Sequence, residues 1–318
     1  MCGCANEDMN NPKEINLKYG YKSKLLCYPL APSASGGRRI KSKNQIMRKQ
    51  FVIFFLILLN FSGFSQQVPY GNNPQTGKYF NIGDVKIYYE IYGKGKPLVL
   101  LHGGVYGYID EFEPFIPKLA EKFQVICIAT RGHGKSDIGH EPYSYKQRAE
   151  DAYKVIRSIT SDSVIVLGFS DGAFSALKLA ALHPELVKKL ISIGAGDYPK
   201  NRPASNMNYT PESLMKSDSA FFAGRVALMP EPKRWGEELT MVSKMYNEDF
   251  LSTETFEKIK CPTLVMAGDR DDYNKTEDIV RCAKSIHNAQ LSIIPGCHHV
   301  VFFCNFPAVW DSIAPFLN

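Results

Sequence analysis

Four short runs in this chain are apolar at nearly every position: "PLVLL" at 97–101, "VICIA" at 125–129, "VIVLGF" at 164–169 and "TLVMAG" at 263–268. None alternates polar with apolar residues, so as strands they must be covered on both faces. Segments with helical patterning follow them. In "SYKQRAEDAYKVIRSI", Ala149, Ala152, Val155 and Ile156 fall on one face, the mark of a helix packed on a sheet. "DGAFSALKLAALH" and "KTEDIVRCAKSIH" are further helices, "VKKLISIGAG" and "AQLSIIPG" further strands, and "PAVWDSIAPFL" a last helix. Strand–helix alternation of this kind predicts an α/β fold, a mostly parallel sheet with helices on both faces.

Two stretches stand apart from this rhythm. "KYFNIGDVKIYYEIYG" reads as a hairpin turning at Gly83-Asp84, a strong turn signal. Residues 197–258 are rich in methionine and aromatic residues, with helical patterns and no strand. They are expected to form a helical lid inserted over the sheet's edge. "EFEPFIPKLAEKF" has helical periodicity.

The N-terminus does not belong to this body. "MRKQFVIFFLILLNFSGFSQQ" from Met47 has a basic start, a short apolar core and small residues before Gln66, the layout of a secretory signal. Its apolar run is short of the ~20 residues of a membrane span. Residues 47–65 are therefore expected to be a signal peptide, and 1–46 a non-native or disordered extension ahead of the true start. The protein would be exported, periplasmic or secreted, with no stable membrane insertion after signal removal. Of the net charge of +6, residues 1–46 carry +5 and Arg48 with Lys49 +2, which leaves −1 for 66–318. A nearly neutral body gives no reason to expect nucleic acid as partner. Its five cysteines, Cys127, Cys261, Cys282, Cys297 and Cys304, are irregularly spaced and do not form a disulfide framework; a single bridge stays open.

In such a sheet, sites form at the carboxyl ends of the strands. There the sequence places "HGG", "GFSDG", "GDRDD" and "PGCHH". A serine, an acid and a histidine thus reach one rim in the order Ser…Asp…His. "GFSDG", between an apolar strand and an apolar helix, resembles the nucleophile elbow G-x-S-x-G of the α/β-hydrolase family. The likeness covers residues 78–318. It implies that Ser170 is the nucleophile, because a serine hydroxyl needs an imidazole to take its proton and an acid to orient that imidazole. Family placement gives the acid as Asp271, with Asp269 and Asp272 as competitors, and the base as His299, with His298 standing where the family has glycine. The oxyanion donors would be the backbone N–H groups of Asp171 and Gly104, with Val105 the alternative to Gly104. His102 and His133, in "HGG" and "RGHG" turns, are expected to be structural.

"ATRGHGKS" at 129–136 also fits a relaxed phosphate loop. Gly139 and Pro142 prevent the immediate helix that such a loop requires, and the same residues fit a family turn. Serine at the elbow points to acyl transfer rather than to the carboxylate-nucleophile chemistry of dehalogenase relatives. The expected substrate is a small-molecule carboxylic ester, lactone or thioester, and no metal or cofactor is called for. Phe221, Phe222, Trp235, Tyr246 and Phe250 of the insertion either line the substrate pocket or pack the lid; Val105 and Trp235 are the candidates for substrate contact. "GFSDG" with "YIDEFEP" is similar to valacyclovir-hydrolase-like members, which would give Asp171 a role in binding a substrate α-amino group. A proline-iminopeptidase-like amidase is disfavoured because "HGGVYG" lacks proline after its glycines, and a non-catalytic binding protein on the same fold is the alternative of another class.

Overall fold

A computed structural model describes residues 68–198 and 206–318. The expected extension and signal, 1–46 and 47–65, lie outside the described residues, as do 199–205 of the insertion. The hairpin forms as β1 (Gly77–Ile82) and β2 (Val85–Tyr92). The remaining strands are β3 (Lys96–Leu101), β4 (Phe123–Ile128), β5 (Val164–Phe169), β6 (Val187–Ile193), β7 (Thr263–Gly268) and β8 (Ala289–Ile294). They build one eight-stranded sheet of order β1-β2-β4-β3-β5-β6-β7-β8. The pairings of β1 with β2 and β2 with β4 are antiparallel, and the rest are parallel.

Successive strand residues point to opposite faces, and here both faces are covered. Val99 and Leu101 enter one core with Val166 and Ala152, while Leu98 and Leu100 enter the other with Leu167 and Ile313. That is why the central strands carry no polar alternation. Helices α1 (Ile116–Ala120), α2 (Tyr145–Ile159) and α3 (Asp171–Leu182) connect the strands. The helix expected over "EFEPFIPKLAEKF" is broken into a 3-10 turn, Ile109–Phe112, and the short α1. Pro114 and Pro117 sit within that stretch, and proline cannot donate the backbone bonds of a continuous helix.

Between β6 and β7 lie α4 (Pro211–Ser217), α5 (Ser219–Leu228), α6 (Trp235–Glu248) and α7 (Thr253–Phe256). Thr210 and Ser213 close a capping box at the start of α4, which satisfies two backbone donors of its first turn. After β7 come α8 (Thr276–Ser285), α9 (Val301–Cys304) and α10 (Phe306–Leu317). Cys297 and Cys304 form a disulfide, whereas Cys127, Cys261 and Cys282 are free and buried. Among the described residues no helix is long and apolar enough to cross a membrane.

Candidate active site

Strand β5 runs into α3 through Ser170, whose backbone is left-handed at φ 51° and ψ −117°. A non-glycine residue there is strained, and close packing holds it in place. An added Cβ on Gly168 would lie 2.3 Å from the Gly172 carbonyl oxygen, and one on Gly172 would lie 2.0 Å from that of Leu101. Both glycines are therefore steric requirements of the corner. Ser170 N–H donates to Ile193 O on β6 at 2.8 Å, which fixes the turn to the sheet.

The loops after β7 and β8 meet this corner. His299 Nε2 is 2.8 Å from Ser170 Oγ, and His299 Nδ1 is 2.8 Å from Asp271 Oδ2. With Nδ1–H donating to the carboxylate, Nε2 is left to accept the serine proton. Asp271 Oδ1 accepts the backbone N–H groups of Tyr273 and Asn274, each at 2.9 Å, so the carboxylate has one orientation. Tyr273 and Phe169 pack their rings near His299, at 4.8 and 5.1 Å between centroids. The competing residues form a second pair outside this one: His298 Nδ1 lies 2.9 Å from Asp272 Oδ2 at the surface. Asp269 is exposed on the same turn.

The loop after β3 supplies the opposite wall. Gly103 N–H donates to Glu111 Oε1 at 2.5 Å and Val105 N–H to His133 Nε2 at 3.1 Å. Among the described residues the N–H of Gly104, between them, has no acceptor. Val105, the alternative donor in the sequence reading, is thereby spent, and Gly104 is the free one. Asp171 N–H, at the first position of α3, is the second, and the positive end of the helix dipole lies with it.

The Asp171 side chain, the expected partner of a substrate amine, is engaged within the protein. It is buried, with Oδ1 2.5 Å from Arg148 Nη1 and Oδ2 accepting Tyr246 Oη–H at 2.6 Å. Oδ1 is ion-paired and Oδ2 hydrogen-bonded within the protein, and the Arg148 cation offsets the carboxylate's charge beside the elbow. Arg148 was missed from the sequence, although a signal existed. It lies on the buried stripe of α2 four residues before Ala152, where an arginine needs an acidic partner. Trp235 packs with Phe222, Leu214 and Leu239 in a small core of the insertion that also touches Val105. Phe222 is likewise buried there, while Tyr246 reaches the elbow and Phe250 stays exposed beside Tyr198. No group of His, Cys, Asp and Glu able to hold a metal ion occurs among the described residues.

Comparison with known proteins agrees with this architecture. A profile for the α/β hydrolase fold matches residues 96–234. The chain is 26% identical over 243 residues to 2-hydroxy-6-oxo-6-(2'-aminophenyl)hexa-2,4-dienoic acid hydrolase of Metapseudomonas resinovorans, covering 70% of this chain and 84% of that protein. It is 27% identical over 244 residues to a putative esterase/lipase of Haemophilus influenzae, covering 70% and 83%. The solved esterase of Exiguobacterium antarcticum superposes with a TM-score of 0.62 at 26% identity, over 76% of this chain and 98% of that one. Sheet order, elbow and these relatives together place the chain among the enzymes of the α/β-hydrolase fold family.

Proposed function

We propose that this hydrolase cleaves small, neutral carboxylic esters through an acyl-enzyme formed on Ser170. The observation that carries the reading is the continuous relay from Ser170 Oγ through His299 to Asp271, with 2.8 Å at each step. Ser170 Oγ attacks the ester carbonyl carbon as its proton passes to His299 Nε2. The N–H groups of Asp171 and Gly104 hold the oxyanion, each such donor being worth ~2.7–4 kcal/mol in the transition state. His299 returns the proton to the departing alkoxide oxygen, and the alcohol leaves. Water, deprotonated by the same nitrogen, then attacks the acyl carbon, releasing the acid and restoring the Ser170 hydroxyl.

A neutral substrate suits the surroundings. Two charged pairs lie by the elbow and its facing loop, Asp171 with Arg148 and Arg225 with Asp110 at 2.8 Å, and burial raises the pKa of Glu111, which accepts the Gly103 N–H, to about 8, favouring its neutral form. Aromatic rings lie close by. Tyr106 packs against Phe221 and Phe222, and Tyr273 against His299. Location outside the cytoplasm is part of the same proposal, and the Cys297–Cys304 bridge supports it, since such bonds persist in oxidising compartments. A native N-terminus at Gln66 is the expected result of sequencing.

The decisive experiment is labelling by a fluorophosphonate probe, with Ser170→Ala alongside. Labelling of the wild type alone is expected, followed by turnover of p-nitrophenyl esters. A folded wild-type protein that neither labels nor turns over would overturn the reading in favour of a binding role.

A further inference from the structure

Three consecutive N–H groups of the loop after β3 have different fates: Gly103 donates to Glu111, Val105 donates to His133, and Gly104 has no acceptor among the described residues. His133 Nε2 accepts from Val105, and His133 Nδ1 lies 3.0 Å from Arg131 O, to which it donates. His102 is arranged in the same sense. Its Nδ1 lies 2.6 Å from Gly103 O, and its Nε2 accepts Thr130 N–H at 3.0 Å. Each ring therefore carries its proton on Nδ1, and each must be neutral for Nε2 to accept. Burial, aided by the nearby cation of Arg148, lowers the pKa of His102 to about 3. Burial likewise holds His133 well below its ordinary value.

The rings lie 5.0 Å apart and bridge the "HGGVYG" loop to the "RGHG" turn. That turn is itself anchored where Arg131 Nη2 meets Asp151 Oδ1 at 3.0 Å. Val105 is held at φ 51°, a left-handed conformation that a β-branched residue avoids unless something compels it. The bond to His133 is such a constraint. Its release would let Val105 return to an extended conformation and free the Gly104–Val105 peptide, so that the backbone of Gly104, and with it the direction of the Gly104 N–H, would no longer be fixed.

We propose that His133 is a positioning residue of the oxyanion site: by accepting the Val105 N–H it fixes the loop so that the Gly104 N–H faces the developing oxyanion. The inference rests on the serine-esterase reading above and goes beyond it, because it assigns to the "RGHG" turn a share of the rate. The rival is that His133 only packs.

Two substitutions separate these. In His133→Asn the short amide takes the place of Nδ1 and retains the bond to Arg131 O, but it cannot reach Val105. In His133→Gln the longer amide oxygen can accept the Val105 N–H. The measurement is the acylation burst with p-nitrophenyl acetate on the purified protein, with the substrate dissociation constant taken from the concentration dependence of the burst rate and the melting temperature read in parallel. The expected result is acylation at least about tenfold slower in the Asn variant at an unchanged substrate dissociation constant, part of what loss of an oxyanion donor costs. The Gln variant should recover most of the rate, and both should melt near the wild type.

Equal rates in the two variants, fast or slow, would overturn the proposal. So would an Asn variant that fails to fold, since His133 would then belong to the fold rather than to the loop. A folded wild-type protein that neither labels with the fluorophosphonate nor releases p-nitrophenol would overturn the esterase reading and this inference together. A wild-type burst that the Asn variant matches overturns this inference alone.

Discussion

Two histidine–aspartate pairs stand side by side on the same two loops, one turned inward and one outward. His299 and Asp271 lie 2.8 Å apart with side chains 13% and 0% exposed; His298 and Asp272 lie 2.9 Å apart at 64% and 69%. Separation does not distinguish them. The inner carboxylate is oriented by two backbone N–H groups and shielded from water, so it acts on its histidine alone. The outer pair is free to exchange its contact for water and ions, and contacts of that kind contribute little.

The comparison is most sharply tested at the histidines. His299→Ala is expected to lower kcat on a p-nitrophenyl ester by roughly a millionfold, the scale for losing a triad base. His298→Ala should stay within about twofold. Comparable losses from both would mean that the outer histidine also takes part. At the acids, Asp271→Asn is expected to cost about 10⁴-fold in kcat through the wrong imidazole tautomer, and Asp272→Asn next to nothing in the same assay.

A third pair carries the contrast into stability. Arg148 and Asp171 are buried together beneath the elbow, so Arg148→Met should cost about 3–5 kcal/mol in urea unfolding by stranding a buried carboxylate. Adding Asp171→Leu should restore much of that, since no charge then remains to be stranded.

The smallest effect concerns Glu238 on α6. Burial raises its pKa to about 8, against the opposing pull of Arg148 and with help from Asp171. An acid whose folded pKa is raised contributes most to stability below its unfolded value of ~4.3 and loses that contribution as pH rises through the folded value. Glu238→Gln should therefore gain melting temperature relative to the wild type between pH 5 and pH 9, as read by calorimetry. A difference that is flat with pH would place Glu238 in contact with water.

Much of the fold could be read from the chain because its central strands are buried on both faces, which writes an unbroken apolar run for each. Ser170 was legible for a related reason, since only glycine fits at 168 and 172. The proposed acid and base are not legible from local chemistry: Asp269, Asp271 and Asp272 are alike as residues, and family likeness singles one out. What separates them is enclosure by Tyr273 and Asn274, a property of the folded turn. Arg148 escaped notice because its partner sits on another helix. Apolar spacing over residues 111–123 reads as one helix, but Pro114 and Pro117 divide the stretch into a 3-10 turn and a short helix.

The contact between His299 and Ser170, catalytic in the proposed function, also has a place in time. His299 and Ser170 are 129 residues apart in sequence, and His299 follows β8, the edge strand of the sheet and the last in chain order. Closing so long a loop carries an entropy cost that local helices do not, so this contact is expected to form after them. A chain that has collapsed around β3 to β6 already displays the elbow serine, but without its base that serine is as unreactive as any surface hydroxyl. Recovery of hydrolysis during refolding should therefore lag behind recovery of helical signal, so that activity reports completion of the chain's last fold-defining step.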